Sequence, residues 1–291
     1  MGKLDGKVAI VTGAGGGLGR CHALGLAAEG AAVVVNDLGG ARDGTGGGHS
    51  MADAVVAEIK AAGGRAVAQY GNVADAADAA DLVKTAVDAF GRLDIVINNA
   101  GILRDRTFKK ITHEEWDAVI AVHLRGTYLV TRAAWDVFMA QGEGGRIVNT
   151  SSTSGLIGNF GQTNYGAAKA GIAGFTRVLA LEGMKYGITV NTLAPAAWTR
   201  MTEDLMPTEQ AQPMAPEKVS PVVVWLCTED AANVTGRQFC VGSNRITLLS
   251  WQVTPIGQHD PKAAPWTVDE VDAAMKASQA NWPKLLRLSD V

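Results

Sequence analysis

Short apolar runs separated by longer amphipathic stretches recur along most of the chain. Residues 8–11, 32–36, 66–70, 93–97, 146–150 and 188–193 read as six strands, and residues 238–241 as a seventh. Most of these runs show little alternation between polar and apolar positions, which marks strands covered on both faces. The segments between them, notably 52–62, 76–90, 113–140 and 165–185, are long enough for crossover helices. Strand–helix alternation of this kind predicts an α/β fold, a doubly wound parallel sheet of about seven strands flanked by helices.

Two segments break the pattern. Residues 39–48 hold six glycines in ten positions, too many for a helix, and are expected to form a loop. From Trp251 onward the chain turns Pro- and Trp-rich, so residues 1–250 are read as the catalytic domain. Residues 251–291 are then a helical extension packed on the core or on a partner subunit. Within the extension, Thr267 and Glu270 have the spacing of a capping box, which predicts a helix running to about residue 280.

Composition narrows the function classes. Of 291 residues, 47% are hydrophobic and the net charge is −3, so there is a full core and no basic excess for nucleic acid. Cys21, Cys227 and Cys240 are far apart, in no metal-ligand spacing, and read as free thiols of a reducing compartment. No run reaches membrane-spanning length, the N-terminus carries no signal pattern, and the last residues are not a peroxisomal address. The expectation is a cytoplasmic protein without metal, membrane or nucleic-acid partners.

The chemistry is carried by four motifs. Thr12-Gly13-Ala14-Gly15-Gly16-Gly17-Leu18-Gly19 lies between the first strand and the first helix. Glycines there let the backbone approach a dinucleotide pyrophosphate, and the helix N-terminus offers free N–H groups. Asn98-Asn99-Ala100-Gly101 follows the fourth strand, where asparagine amides can bridge neighbouring strands and hold a cofactor. Tyr165 and Lys169 fall at i and i+4 of a helix, and an ammonium beside a phenol lowers its pKa toward use as a base. Thirteen residues upstream, Ser152 lies at a strand's carboxyl end, placed to hydrogen-bond a substrate oxygen, although Ser154 competes for that role. Asp37, closing the second strand, favours the ribose hydroxyls of NAD over the 2′-phosphate of NADP, while Arg42 nearby pulls the other way.

Together, Gly13/Gly17/Gly19, Asn98 to Gly101, Ser152 and Tyr165/Lys169 resemble the short-chain dehydrogenase/reductase family over about residues 4–245. The resemblance implies a Rossmann-like fold and hydride transfer between a nicotinamide and an alcohol or carbonyl. It implies Tyr165 as general acid/base, Lys169 as its partner and ribose ligand, and Ser152 as positioner of the substrate oxygen. It adds Asn72 and Val73 beside the adenine, and Ala197 and Thr199 near the nicotinamide, in a Pro195-Ala196 region where the family usually has Pro-Gly. It also implies a homodimer or homotetramer pairing through the 113–140 and 165–185 helices. His123 stands where the family usually has an asparagine of a proton relay, and histidine titrates near neutral pH.

Further runs (Val35 to Gly40, Asn99 to Arg106, Val122 to Gly126, Gly158 to Gln162) resemble one subgroup. It is the (3R)-hydroxyacyl-CoA dehydrogenase part of peroxisomal multifunctional enzyme type 2, also called 17β-hydroxysteroid dehydrogenase type 4. What this implies is NAD-dependent oxidation of a 3-hydroxyacyl-CoA, fatty or steroid side-chain thioester, by a stand-alone dehydrogenase. Arg104, Arg106, Lys109 and Lys110 form a basic cluster suited to CoA phosphates, and residues 201–216, with Met201, Leu205, Met206 and Met214, would form an apolar lid. Two alternatives remain at this level: a dehydrogenase of free hydroxysteroids or other alcohols, and a non-catalytic nucleotide-binding module.

Overall fold

The computed structural model describes residues 2–199, 209, 211–260, 262 and 264–287. Its centre is an eight-stranded sheet formed by β1 (Val8–Thr12), β2 (Ala32–Asn36), β3 (Arg65–Gln69), β4 (Ile95–Asn98), β5 (Gly145–Thr150), β6 (Ile188–Ala196), β7 (Gln238–Gly242) and β8 (Arg245–Leu249). The order is β3-β2-β1-β4-β5-β6-β7-β8. The first seven strands are parallel and β8 runs antiparallel to β7.

The even burial of the strands has a direct cause. Ala9, Val11, Val33, Val35, Ile95 and Ile97 enter one core, while Val8, Ile10, Val34, Val96 and Ile147 enter a second on the opposite face. Helices α1 (Gly17–Ala28), α2 (Ser50–Ala61) and α8 (Ser220–Leu226) cover the first face. Helices α3 (Ala76–Phe90), α5 (Gly126–Gln141) and α7 (Thr163–Gly183) cover the second. Chain order reverses between β1 and β4, and the cleft at their carboxyl ends is where such sheets bind ligands.

Two features depart from the sequence reading. The eighth strand extends the expected seven through a tight turn at Ser243 and Asn244, both at positive φ (48° and 58°). It is an edge strand with Ile246 and Leu248 exposed, so its pattern lacks the burial that marked the others. The expected single helix over 113–140 is interrupted: α4 (His113–Ile120) passes through a π turn at Ala121–Arg125 before α5 begins. That wider turn carries His123, and Gly126 at its end packs on Val73, where a Cβ would lie 2.9 Å from the valine side chain.

The short α6 (Thr153–Leu156) precedes α7, and α9 (Val268–Ser278) follows β8, capped by Thr267 and Glu270 as a capping box. Among the described residues no helix is long and apolar enough to cross a membrane.

His22 shows how the core constrains stability. It lies buried in α1, its Nδ1 2.8 Å from Ser220 Oγ on α8, and burial pushes its pKa down to about 3. The unfolded chain takes a proton near 6.5 while the native chain refuses it, so stability is lost as pH falls from about 6.5 toward 3. The slope reaches at most about 1.4 kcal/mol per pH unit for each such histidine. Thermal melts across that range are expected to show a falling Tm, with a shallower fall in His22→Asn; equal slopes would contradict the assignment.

Candidate active site

The β1–α1 turn is built for close approach. A Cβ at Gly19 would lie 2.1 Å from the Gly13 carbonyl oxygen, so only glycine fits. α1 starts without a side-chain cap and without an acidic residue in its first turn, leaving its N–H groups and positive dipole end available to an anion. Asn99 Nδ2 donates to the carbonyls of Thr12 (2.9 Å) and Gly13 (3.0 Å), and Thr12 Oγ1 accepts from the backbone of Asn99 and Ala100. The turn is thereby tied to the end of β4.

Asp37 is fixed at the end of β2. Its Oδ2 accepts from Gly15 N and its Oδ1 from Gly39 N, each at 2.7 Å. A cavity of about 530 Å³ opens between these elements. Gly13, Gly17, Leu18, Gly19, Asp37, Asn72, Val73, Asn99, Ala100, Gly101 and Thr199 all line it. Ala197 is buried and does not line it. A dinucleotide fits this cradle by its donors and its lack of side-chain bulk at the turn.

Ser152, Tyr165 and Lys169 meet outside that lining. Ser152 caps α6, accepting from Ser154 N at 3.1 Å, and its hydroxyl lies close enough to the Tyr165 phenol to favour the ionised form. Ser154 instead donates to Gln162 Oε1 at 2.8 Å, so the structure brings Ser152, not Ser154, against the tyrosine. Lys169 lies one turn along α7, its Nζ 5.5 Å from the Tyr165 ring centre and bonded to Thr150 O at 2.6 Å.

The electrostatics correct one expectation. Burial pushes Tyr165 up to about 12, only partly offset by the Ser152 hydroxyl, and pushes Lys169 down to about 7. The expected lowering of the phenol by the lysine is absent, because desolvation disfavours both charged forms.

His123 is likewise corrected as a group titrating near neutral pH. It is buried in the π turn, and burial and the neighbouring Lys169 hold its pKa well below 6.5. Its Nε2 lies 3.1 Å from Ile102 N and 2.8 Å from Ile102 O, and its ring meets Tyr165 edge-on at 5.2 Å. The structure thus places it as a neutral strut between the β4 loop and the tyrosine.

Asn98 bridges β4 and β5, as an asparagine amide at that strand end was expected to, while Thr131, Asn149, Thr176 and Asn164 escaped the sequence reading. Asn98 Nδ2 bonds Thr131 and Asn149, and Asn149 bonds Thr176, a polar ladder joining β4, β5, α5 and α7. Asn164 donates to Arg104 O (3.0 Å) and accepts from Tyr165 N (2.8 Å). The signal was present in polar residues inside buried strands and at a helix start, positions that demand partners. The expected basic cluster is divided: Arg104 bonds Asp43 O, Arg106 pairs with Glu115, and Lys109 and Lys110 are exposed. Of the expected lid, residues 201–208 and 210 lie outside the described residues, and Met214 O accepts from Trp198 N at 2.7 Å.

Comparison with known proteins adds four findings. The short chain dehydrogenase family model matches residues 7–210. The mouse peroxisomal multifunctional enzyme type 2 is 50% identical over 99% of this chain and 38% of its own length, so the chain spans little more than a third of that relative. The hydroxyacyl-CoA dehydrogenase ChsB1 of Mycobacterium tuberculosis is 46% identical over 85% of this chain and 80% of its own. Among solved structures, a short chain dehydrogenase from Mycobacterium avium superposes with a TM-score of 0.85 at 48% identity, covering 98% of both chains.

Proposed function

Because this chain belongs to the short-chain dehydrogenase family, we propose that it oxidises a 3-hydroxyacyl-CoA to the 3-oxoacyl-CoA with NAD. The observation that carries the redox chemistry is the packing of Ser152, Tyr165 and Lys169 against one another next to the cavity that the glycine turn and Asp37 line. The thioester assignment is supported by the hydroxyacyl-CoA dehydrogenase relative at 46% identity.

Bound NAD would supply the hydride acceptor. Ser152 Oγ donates to the substrate hydroxyl oxygen and fixes it in front of Tyr165. Tyr165 takes the hydroxyl proton as the carbinol carbon becomes a carbonyl. Lys169, its Nζ over the Tyr165 ring and bonded to Thr150 O, holds the tyrosine in place and would bind the cofactor ribose. His123 braces the tyrosine ring and Ile102 without a proton of its own to exchange at neutral pH.

Asp37 supports NAD over NADP, since a 2′-phosphate would face a carboxylate already pinned by two backbone N–H groups. The expected preference in kcat/KM is about a hundredfold or more, and Asp37→Ser should narrow it. A wild-type preference for NADP would contradict this assignment. The substrate class is tested by NAD-coupled turnover of 3-hydroxyacyl-CoA thioesters beside free hydroxysteroids and simple secondary alcohols. The thioester is expected to win; equal turnover of a free alcohol would support that second substrate class instead.

The assembly belongs to the same reading. Leu181, Val178 and Met184 are exposed on or just beyond α7, and Tyr128 and Met139 on α5, which suits pairing with a second copy. Residues 251–291 form an extension whose α9 leaves Val268, Val271 and Met275 exposed, suited to packing on a partner subunit. The absence of a long apolar helix among the described residues is compatible with a cytoplasmic enzyme.

A further inference from the structure

The glycine-rich loop after β2 is an ordered element with a defined path. Gly48 N donates to Leu38 O (2.9 Å), Ala41 N to Thr45 O (2.7 Å) and Gly44 N to Ala41 O (3.0 Å). Asp43 Oδ1 accepts from both the backbone and the hydroxyl of Thr45. The glycines serve close approach: Gly39 has φ of 74°, and a Cβ there would lie 2.0 Å from Gly48 O.

The tip of this loop crosses the cleft. Leu103 N donates to Arg42 O and Arg104 Nε to Asp43 O, both at 3.0 Å. Gly44 sits on the Ile102 side chain. Gly40, Ala41 and Gly44 line the same cavity as the glycine turn on the opposite side. The loop therefore spans from the end of β2 to the segment after β4, above the space between them.

We propose that residues 39–48 are a strap over the dinucleotide, which must open for the cofactor to enter or leave, and that Arg104 is the positioning residue that latches it. This rests on the reading of the cavity as a dinucleotide site. The contacts that tie the tip across the cleft include the hydrogen bonds to Leu103 and Arg104 and the packing of Gly44 on Ile102, interactions of a kind that break and re-form during turnover. The latch segment also reaches the tyrosine. The Arg104 carbonyl accepts from Asn164, which in turn accepts from Tyr165 N, and Ile102 holds His123. Closing the strap over the cofactor and setting the start of α7 thus use the same residues.

The test is the exchange of NADH, followed by its fluorescence in stopped flow with the full-length protein. In Gly44→Cys/Ile102→Cys the two Cβ atoms stand 3.7 Å apart, within disulfide range. Cys21, Cys227 and Cys240 are buried and do not compete. With the pair oxidised, NADH dissociation is expected to slow by about tenfold or more, and reduction should restore it. Residue 44 has φ of 84°, which strains a cysteine, so Arg104→Met provides an independent arm. Loss of a latch raises association and dissociation rates together, by about tenfold here, whereas loss of a direct cofactor contact raises dissociation alone. If Arg104→Met leaves association unchanged, or oxidised and reduced cysteine pairs release NADH equally fast, the strap is overturned while the dinucleotide reading stands. If the wild-type protein binds no NADH, both fall.

Discussion

Tyr165→Phe is expected to lower kcat by about three orders of magnitude while NADH affinity changes little. The substitution removes one oxygen from a phenol beside Ser152 and leaves the ring against His123, so the packing survives. What it removes is the group proposed to take the substrate proton. Because burial pushes this phenol up to about 12, it holds its proton at neutral pH, and oxidation should accelerate as pH rises. In the phenylalanine variant that alkaline acceleration should vanish along with the rate. A loss of less than tenfold, or an unchanged pH profile, would remove Tyr165 from the chemistry.

Lys169→Met is expected to abolish turnover to a similar degree and yet raise Tm at neutral pH. Lys169 is buried, and desolvation lowers its pKa from 10.5 to about 7. The unfolded chain keeps the proton up to about 10.4, whereas the native chain begins to lose it near 7. The destabilisation from the lysine is therefore full below pH 7 and fades as pH rises through that window. Methionine removes it at the cost of one hydrogen bond to Thr150 O, for an expected net gain of about 2 kcal/mol and a Tm several degrees higher. Thermal melts at a series of pH values check this: the wild-type protein should stabilise toward alkaline pH and the variant should not. A variant less stable than wild type at pH 7 would mean that Lys169 is a structural group.

The elements that the chain order makes visible are those in which local pattern and tertiary role agree. β1, β2 and β4 are apolar up to their last residue because the sheet is covered on both faces, and the glycines of the first turn are needed for its shape whatever it binds. The π turn at Ala121–Arg125 was not legible, since helical periodicity continues through it and only His123 reaching for Ile102 reveals the wider winding. β8 was not legible because an exposed edge strand has no core to imprint a pattern on it. Within the site, residue types announced Tyr165, Lys169 and Ser152, but their environment did not follow. Desolvation is a property of the folded surroundings, and it reverses the expected direction of the tyrosine shift. The partition of the basic cluster depended in the same way on the fold, which brings Asp43, 61 residues away, to Arg104 and turns Glu115 of α4 toward Arg106.

The central claim is hydride transfer from a 3-hydroxyacyl-CoA to NAD. It is tested most directly by incubating the protein with NAD and racemic 3-hydroxyacyl-CoA deuterated at the carbinol carbon, then analysing both products by mass spectrometry. The account predicts deuterated NADH and 3-oxoacyl-CoA in equal amounts, with transfer lost in Tyr165→Phe. Undeuterated NADH, no 3-oxoacyl-CoA, or equal transfer in Tyr165→Phe would contradict it.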